Sequence, residues 1–273
     1  MKDLAARHGL RPTKRLGQHF LADPNLARAI VADAGIAPGD RVLEIGAGLG
    51  SLTVALAAAG ARVLAVETDR GVARALEEVV GPFPQVRVVE ADAMRSDWAA
   101  LLEPGPWAMV SNLPYNVSVP LVLDLLEDIQ AIDRFLVMVQ LEVGERLVAP
   151  PGDPSYGAVS VRVAYHADAR LLRRVPADVF WPRPRVDSVL VTLTRREPPV
   201  DVDRAALFSI VDEGFAERRK TMANALRRLG LDADAASDAM RASGLDPSER
   251  AERLGLPEFA GIARYLIEAG WRP

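Results

Sequence analysis

The chain has 273 residues, 49% hydrophobic and 26% charged, with 33 Lys and Arg against 37 Asp and Glu for a formal charge of −4. It contains no cysteine, which excludes disulfides, thiolate-held zinc, iron–sulfur clusters and thiol nucleophiles, and its three histidines (His8, His19, His166) are too scattered for a catalytic metal cage. No run of about 18 apolar residues occurs and MKDLAARHGL has no apolar signal core, so a soluble, cytoplasmic protein with no membrane partner is expected.

In chain order, Asp23-Pro24 ahead of NLARAIVADAG reads as a helix, with Asp as N-cap, Pro at the first helical position and Gly35 past the end. Five short runs rich in β-branched residues follow: RVLEI (41–45), RVLAVE (62–67), VRVVEAD (86–92), WAMVSN (107–112) and FLVMVQ (135–140). Between them SLTVALAAAG, TDRGVARALEEVV and SVPLVLDLLEDI carry helical spacing. Apolar strands alternating with helices predict an α/β fold, a doubly wound parallel sheet with helices on both faces. After Pro150-Pro151 a helical stretch (157–166) precedes ARLLRRV and VDSVLVTLTRR, expected as an antiparallel hairpin on the sheet edge. RREPPVDVD (195–203) reads as a linker, and the patterns beyond it are wholly helical. The expected division is a catalytic domain at 1–198 and a small all-helical domain at 199–273.

Local charge says more than the total. Residues 1–19 hold five Lys and Arg against Asp3, and residues 214–228 hold five against Glu217, so each segment is net +4. Residues 229–260, with three Arg and seven acids, mask them. A third group, Arg170, Arg173, Arg174, Arg183 and Arg185, adds to a pattern expected of a phosphate-backbone binder. Any one of these clusters is equally consistent with a solvated face.

In VLEIGAGLGS, Gly46, Gly48 and Gly50 follow the first strand of the sheet and precede a helix, where a ligand can approach the backbone closely. Ser51 stands where the dinucleotide fingerprint requires its third glycine, so a ligand without a pyrophosphate fits better. Glu67 closes the next strand, placed to accept ribose hydroxyls, and Asp92 closes the third, placed to accept from an adenine amino group or to cap a helix. Together they outline an S-adenosylmethionine pocket. The fourth strand ends in Asn112-Leu113-Pro114-Tyr115. An exocyclic nucleobase amine is a poor nucleophile because its lone pair is delocalised. Acceptors at the Asn112 side chain and the Pro114 carbonyl can localise that pair while Tyr115 stacks on an extruded base. Without cysteine, pyrimidine C5 methylation is excluded.

The segments KRLGQHFL (14–21), LEIGAGLGSLT (43–53), VETD (66–69), EADAM (90–94), NLPYNVS (112–118), VFWPRPRVDSVLV (179–191) and FAERRKTMANAL (215–226) make the chain resemble the KsgA (RsmA) family, the ribosomal RNA small-subunit adenine N6,N6-dimethyltransferases. The resemblance implies a Rossmann-like class I methyltransferase sheet and dimethylation of two adjacent adenosines near the 3′ end of 16S rRNA, in the small ribosomal subunit or its precursor. Nothing in the sequence demands more than a monomer, and the chemistry is expected to be direct in-line transfer with no metal. Cofactor contacts carried over are His19, Leu21, Gly46, Glu67, Asp92 and Asn112, with Gly48 in the same loop. His19 stands where the family usually has Asn, and can serve as donor or acceptor or simply pack. Phe180 looks like the aromatic that closes the target-base pocket opposite Tyr115, with Trp181 as a neighbouring alternative. Arg218, Arg219 and Lys220 resemble the family's rRNA-contacting segment, an alternating-charge helix face being the other reading. Two rivals are a large-subunit rRNA dimethyltransferase of the macrolide-resistance type, disfavoured by FAERRKTMANAL, and a non-catalytic ribosome assembly factor, disfavoured by the intact Asn112, Pro114 and Tyr115.

Overall fold

The computed structural model describes residues 1–10, 17–217 and 219–273. Arg218 and the first three residues of KRLGQHFL therefore lie outside the described residues. The chain divides into two compact units.

The first unit comprises Met1–Gly144 and Ala169–Arg195. Its elements run α1 (Lys2–Arg7), β1 (Phe20–Leu21), α2 (Pro24–Asp33), β2 (Arg41–Ile45), α3 (Ser51–Ala58), β3 (Arg62–Glu67), α4 (Arg70–Val80), β4 (Val86–Glu90), α5 (Trp98–Leu101), β5 (Trp107–Asn112), α6 (Ser118–Asp128), β6 (Ile132–Gln140) and α7 (Leu141–Val148), the last crossing into the second unit. After α8 (Ala158–His166) come β7 (Ala167–Val175), β8 (Phe180–Trp181) and β9 (Ser188–Arg195). Helix starts follow the expected chemistry: Asp23 accepts from the amides of Asn25 and Leu26 at 2.8 and 3.3 Å, and Asp69 from Gly71 and Val72 at 2.9 and 3.1 Å.

Seven strands form one sheet in the order β4-β3-β2-β5-β6-β9-β7. The pairs β2–β3, β3–β4, β2–β5 and β5–β6 are parallel, and β6–β9 is antiparallel. The chain builds outward from β2 to β4 on one side and from β5 on the other, so β2 and β5 flank the switch point, where ligands of doubly wound sheets bind beyond the strand C-termini. One face carries Val42, Val63, Ala65, Ala108 and Val110, packed with Ile30, Leu52, Leu56 and Leu76 of α2–α4. The alternate residues Leu43, Leu64 and Met109 are buried too, so both faces are covered. Strands β7 and β9 are neighbours at the sheet edge as expected. They are not joined by a tight turn, because β8 leaves between them to pair antiparallel with β1, Leu21 opposite Phe180.

The second unit comprises Glu145–Asp168 and Arg196–Pro273. It holds α8, α9 (Arg204–Ala216), α10 (Met222–Arg228), α11 (Ala233–Ala242) and α12 (Leu256–Glu268). The helical domain starting at 199 thus gains residues 145–168, a correction to the single boundary. Tyr156, Val161 and Tyr165 share a core with Leu207, Phe208 and Phe259, and the Tyr156 hydroxyl donates to Leu254 O at 2.8 Å. Among the described residues no helix is long and apolar enough to cross a membrane.

Candidate functional site

The turn after β2 is glycine-dependent at two places. Gly46 and Gly48 have φ of 72° and 58°. A Cβ on Gly46 would lie 3.1 Å from Pro114 Cδ, and one on Gly48 2.8 Å from the Phe20 ring. The loop is therefore pressed between the Asn112–Tyr115 turn and the segment around β1.

Glu67, at the end of β3 and 7% exposed, ties this loop together. Its Oε2 accepts from Gly48 N at 3.0 Å, and its Oε1 accepts from Thr68 N and Asp69 N, each at 3.0 Å. Burial pushes its pKa up while these amides pull it down. Three of about four lone-pair positions on a carboxylate are thus taken, leaving one on Oε2 for a ribose hydroxyl. Asp92 caps the short turn after β4, accepting from Met94 N at 3.0 Å, with Arg95 at 3.8 Å. The capping alternative is realised, and the residue still lines a cavity of about 190 Å³ with Met94, Pro114 and Val117.

A smaller cavity of about 60 Å³ is walled by His19, Leu21, Gly46, Gly48, Asn112, Pro114 and Tyr115. The two cavities share Gly46, Glu67, Thr68 and Pro114, so they form two halves of one cleft at the switch point. Asn112 Nδ2 donates to His19 O at 3.0 Å. Its Oδ1 has no hydrogen-bond partner among the described residues. The Pro114 carbonyl accepts from Val117 N at 3.3 Å and keeps a second lone pair. The Tyr115 hydroxyl is 2.9 Å from Ser188 Oγ, and its ring centroid is 5.2 Å from that of His19; burial raises the Tyr115 pKa. His19 Nδ1 donates to Pro182 O at 2.7 Å, which leaves Nε2 as the ring's remaining polar atom.

Two expectations change. Phe180 is not brought to the cleft: it is 4% exposed and packs in the core with Leu21, Val175 and Leu190. The reason is strand alternation, which turns Phe180 inward and lets Trp181 stack on Phe20 at 6.1 Å. Arg219 and Lys220 are exposed in the turn between α9 and α10, not on a helix face; Thr221 starts α10 by accepting from Asn224 N at 3.3 Å.

The sequence reading missed Glu44, Gln18 and Phe20, all of which line the smaller cavity. Glu44 is 2% exposed with an unpartnered Oε2. Burial, reinforced by Glu67, raises its pKa to about 8. A carboxylate among the apolar residues Val42, Leu43 and Ile45 was the available signal. The open acceptor on Glu67, the unpartnered Glu44 oxygen beside the loop and the two joined cavities fit a ligand with hydroxyl groups.

A family described as ribosomal RNA adenine dimethylase matches residues 9–268. A "Ribosomal RNA small subunit methyltransferase A" from Thermobifida fusca (strain YX) is 48% identical over 271 residues, spanning 97% of this chain and 94% of its own. A crystal structure of a dimethyladenosine transferase from Plasmodium falciparum superposes with a TM-score of 0.79 at 23% identity, covering 92% of this chain and 98% of that one. The 23S rRNA methyltransferase ErmE superposes at 0.69 with 26% identity, covering 91% and 99%. With a family match over nearly its whole length, on a doubly wound sheet whose cleft joins the glycine loop to Asn112, the chain belongs to the ribosomal RNA adenine dimethylase family.

Proposed function

We propose that this protein uses S-adenosylmethionine to dimethylate N6 of two adjacent adenosines near the 3′ end of 16S rRNA, in the small ribosomal subunit. The observation that carries the reading is the side chain of Asn112. With Nδ2 held by His19 O, its Oδ1 is the atom left to face the cleft, beside the half-used Pro114 carbonyl and the Tyr115 ring. These two oxygens accept the two N–H bonds of an adenine amino group and turn its lone pair toward the cofactor half of the cleft. Tyr115, fixed through Ser188, stacks on the extruded base.

When bound, S-adenosylmethionine supplies an electrophilic methyl on a sulfonium that departs as a neutral thioether. Because that leaving group is good, Asn112 and Pro114 act by position and need no strong base. In such a transfer the C–S bond would give way to the new C–N bond, while Asn112 Oδ1 and the Pro114 carbonyl would hold the amine's N–H bonds and the surplus proton would leave to solvent. After the first transfer a single N–H remains, which either Asn112 or Pro114 can hold for the second. Glu67 accepts from ribose with its remaining lone pair, and Asp92 and Met94 wall the adenine end. Support for the small subunit is the 48% identity to a relative named for it, against 26% to the 23S rRNA enzyme.

Asn112→Ala tests the assignment. Nucleoside analysis of treated small subunits should show both mono- and dimethylation lost, with cofactor binding only moderately weakened. Turnover at the wild-type rate would refute the role of Asn112.

A further inference from the structure

The five-arginine cluster Arg170, Arg173, Arg174, Arg183 and Arg185 separates into different kinds in the fold. Arg173 pairs with Asp33, and Arg174 with Asp187 at 2.9 Å. Arg183 and Arg185 lie on the segment 182–187 that joins β8 to β9; both are exposed, and neither has an ion-pair or hydrogen-bond partner among the described residues. Pro184 between them is buried, so two guanidinium groups project from either side of a seated residue.

This segment is fastened at both ends, and both fastenings are walls of the cleft. At its start, Pro182 O accepts from His19 Nδ1 at 2.7 Å. At its end, Ser188 Oγ meets the Tyr115 hydroxyl at 2.9 Å. Asp187 adds three more ties: its carboxylate accepts from Ala177 N at 3.0 Å and from Arg174, and its carbonyl accepts from Leu141 N at 3.0 Å. The one acidic neighbour on the segment is therefore already engaged and does not neutralise Arg185. His19 and Tyr115 line the cavity that holds Asn112 and Pro114. The loop that carries these two unpartnered cations is thus tied at both ends to residues that line the pocket where the target base enters.

We propose that Arg183 and Arg185 clamp the RNA backbone on either side of the adenosine inserted into the cleft, each taking a phosphate. The inference rests on the RNA-methylating reading above. Extruding a base costs a few kcal/mol of stacking and pairing, and the distorted backbone must be held while two methyl groups are delivered. Arginine suits that task because its planar fork can grip phosphate oxygens in a bidentate manner. Such contacts position the strand and carry no base information. Two arginines on a backbone seated at Pro184 and tied at both ends present neighbouring cations from a held loop, so little backbone freedom is lost on binding. RNA is the partner favoured by position, because a nucleobase is the group that enters the pocket to which this loop is tied.

The test compares wild type, Arg183→Ala/Arg185→Ala and Arg183→Lys/Arg185→Lys on undermethylated small ribosomal subunits. Binding affinity is measured across a salt series, and cofactor affinity separately. The alanine pair should bind subunits roughly 10- to 100-fold more weakly, and the slope of log affinity against log salt should shrink by about 1–2. Cofactor affinity should hold, and the lysine pair should restore the slope. An unchanged slope in the alanine pair overturns the proposal, as does a slope that stays reduced in the lysine pair, which would mark a structural loop or a protein contact. Wild type that binds subunits without methylating them would instead sink the functional reading, while leaving the slope comparison legible.

Discussion

Glu44 shows how a single residue can escape a sequence reading and still shape the site. It sits mid-strand in β2, where neighbours on both faces are buried, and its carboxyl is kept neutral by burial and by Glu67. Its pKa rises from 4.5 to about 8 in the fold. Between those values the folded state binds a proton that the unfolded state has lost, so this group makes stability fall as pH rises through that window. Glu44→Gln removes the titration. The melting temperature of wild type should drop relative to the variant by several degrees between about pH 5 and pH 8.5; parallel curves would show that Glu44 ionises freely in the fold. By contrast, Gly46, Gly48, Glu67, Asp92, Asn112 and Tyr115 were legible because each ends a strand or follows one, where a doubly wound sheet exposes its loops. The tasks of His19 were not. Its backbone carbonyl holds Asn112 and its ring holds Pro182, contacts across long sequence separations that no local pattern encodes.

At the scale of elements, β2, β3 and β5 fall on the residues their apolar runs mark, 41–45, 62–67 and 107–112. The two-residue pair β1–β8 was invisible, since neither strand is long enough to show a period, and that pairing decides that Phe180 points inward. The end of α6 was equally hidden. Arg195, the last residue of β9, donates to the carbonyls of Leu125 and Leu126 in the last turn of α6 and of Ile129 and Ile132 just beyond it, at 2.7–3.1 Å, where a helix terminus leaves carbonyls short of partners. Read as a string, it is the first residue of the linker at 195–203. Arg195→Met keeps the aliphatic stem and deletes the fork. It should lower unfolding stability by about 1.5–3 kcal/mol, seen as a lower urea midpoint at unchanged slope. A midpoint matching wild type would mean that water serves those carbonyls as well.

For the whole molecule, the alternation of apolar runs and helical patterns pointed to the right fold class, while the single domain boundary was too simple. The Pro-rich linker near 198 is present in the sequence, yet Tyr156, Val161 and Tyr165 belong to the helical core. Their assignment depends on apolar partners 40 to 100 residues away, which periodicity does not reveal. The net charge of −4 likewise hides exposed Arg183, Arg185, Arg219 and Lys220, because the acids of residues 229–260 offset them in the sum.

The most direct measurement supplies labelled S-adenosylmethionine to undermethylated small subunits and, separately, to large subunits, followed by nucleoside analysis. Label should enter small subunits alone and appear as N6,N6-dimethyladenosine. Label on large subunits would contradict the account in favour of a resistance-type enzyme, and label on neither would leave a non-catalytic assembly factor.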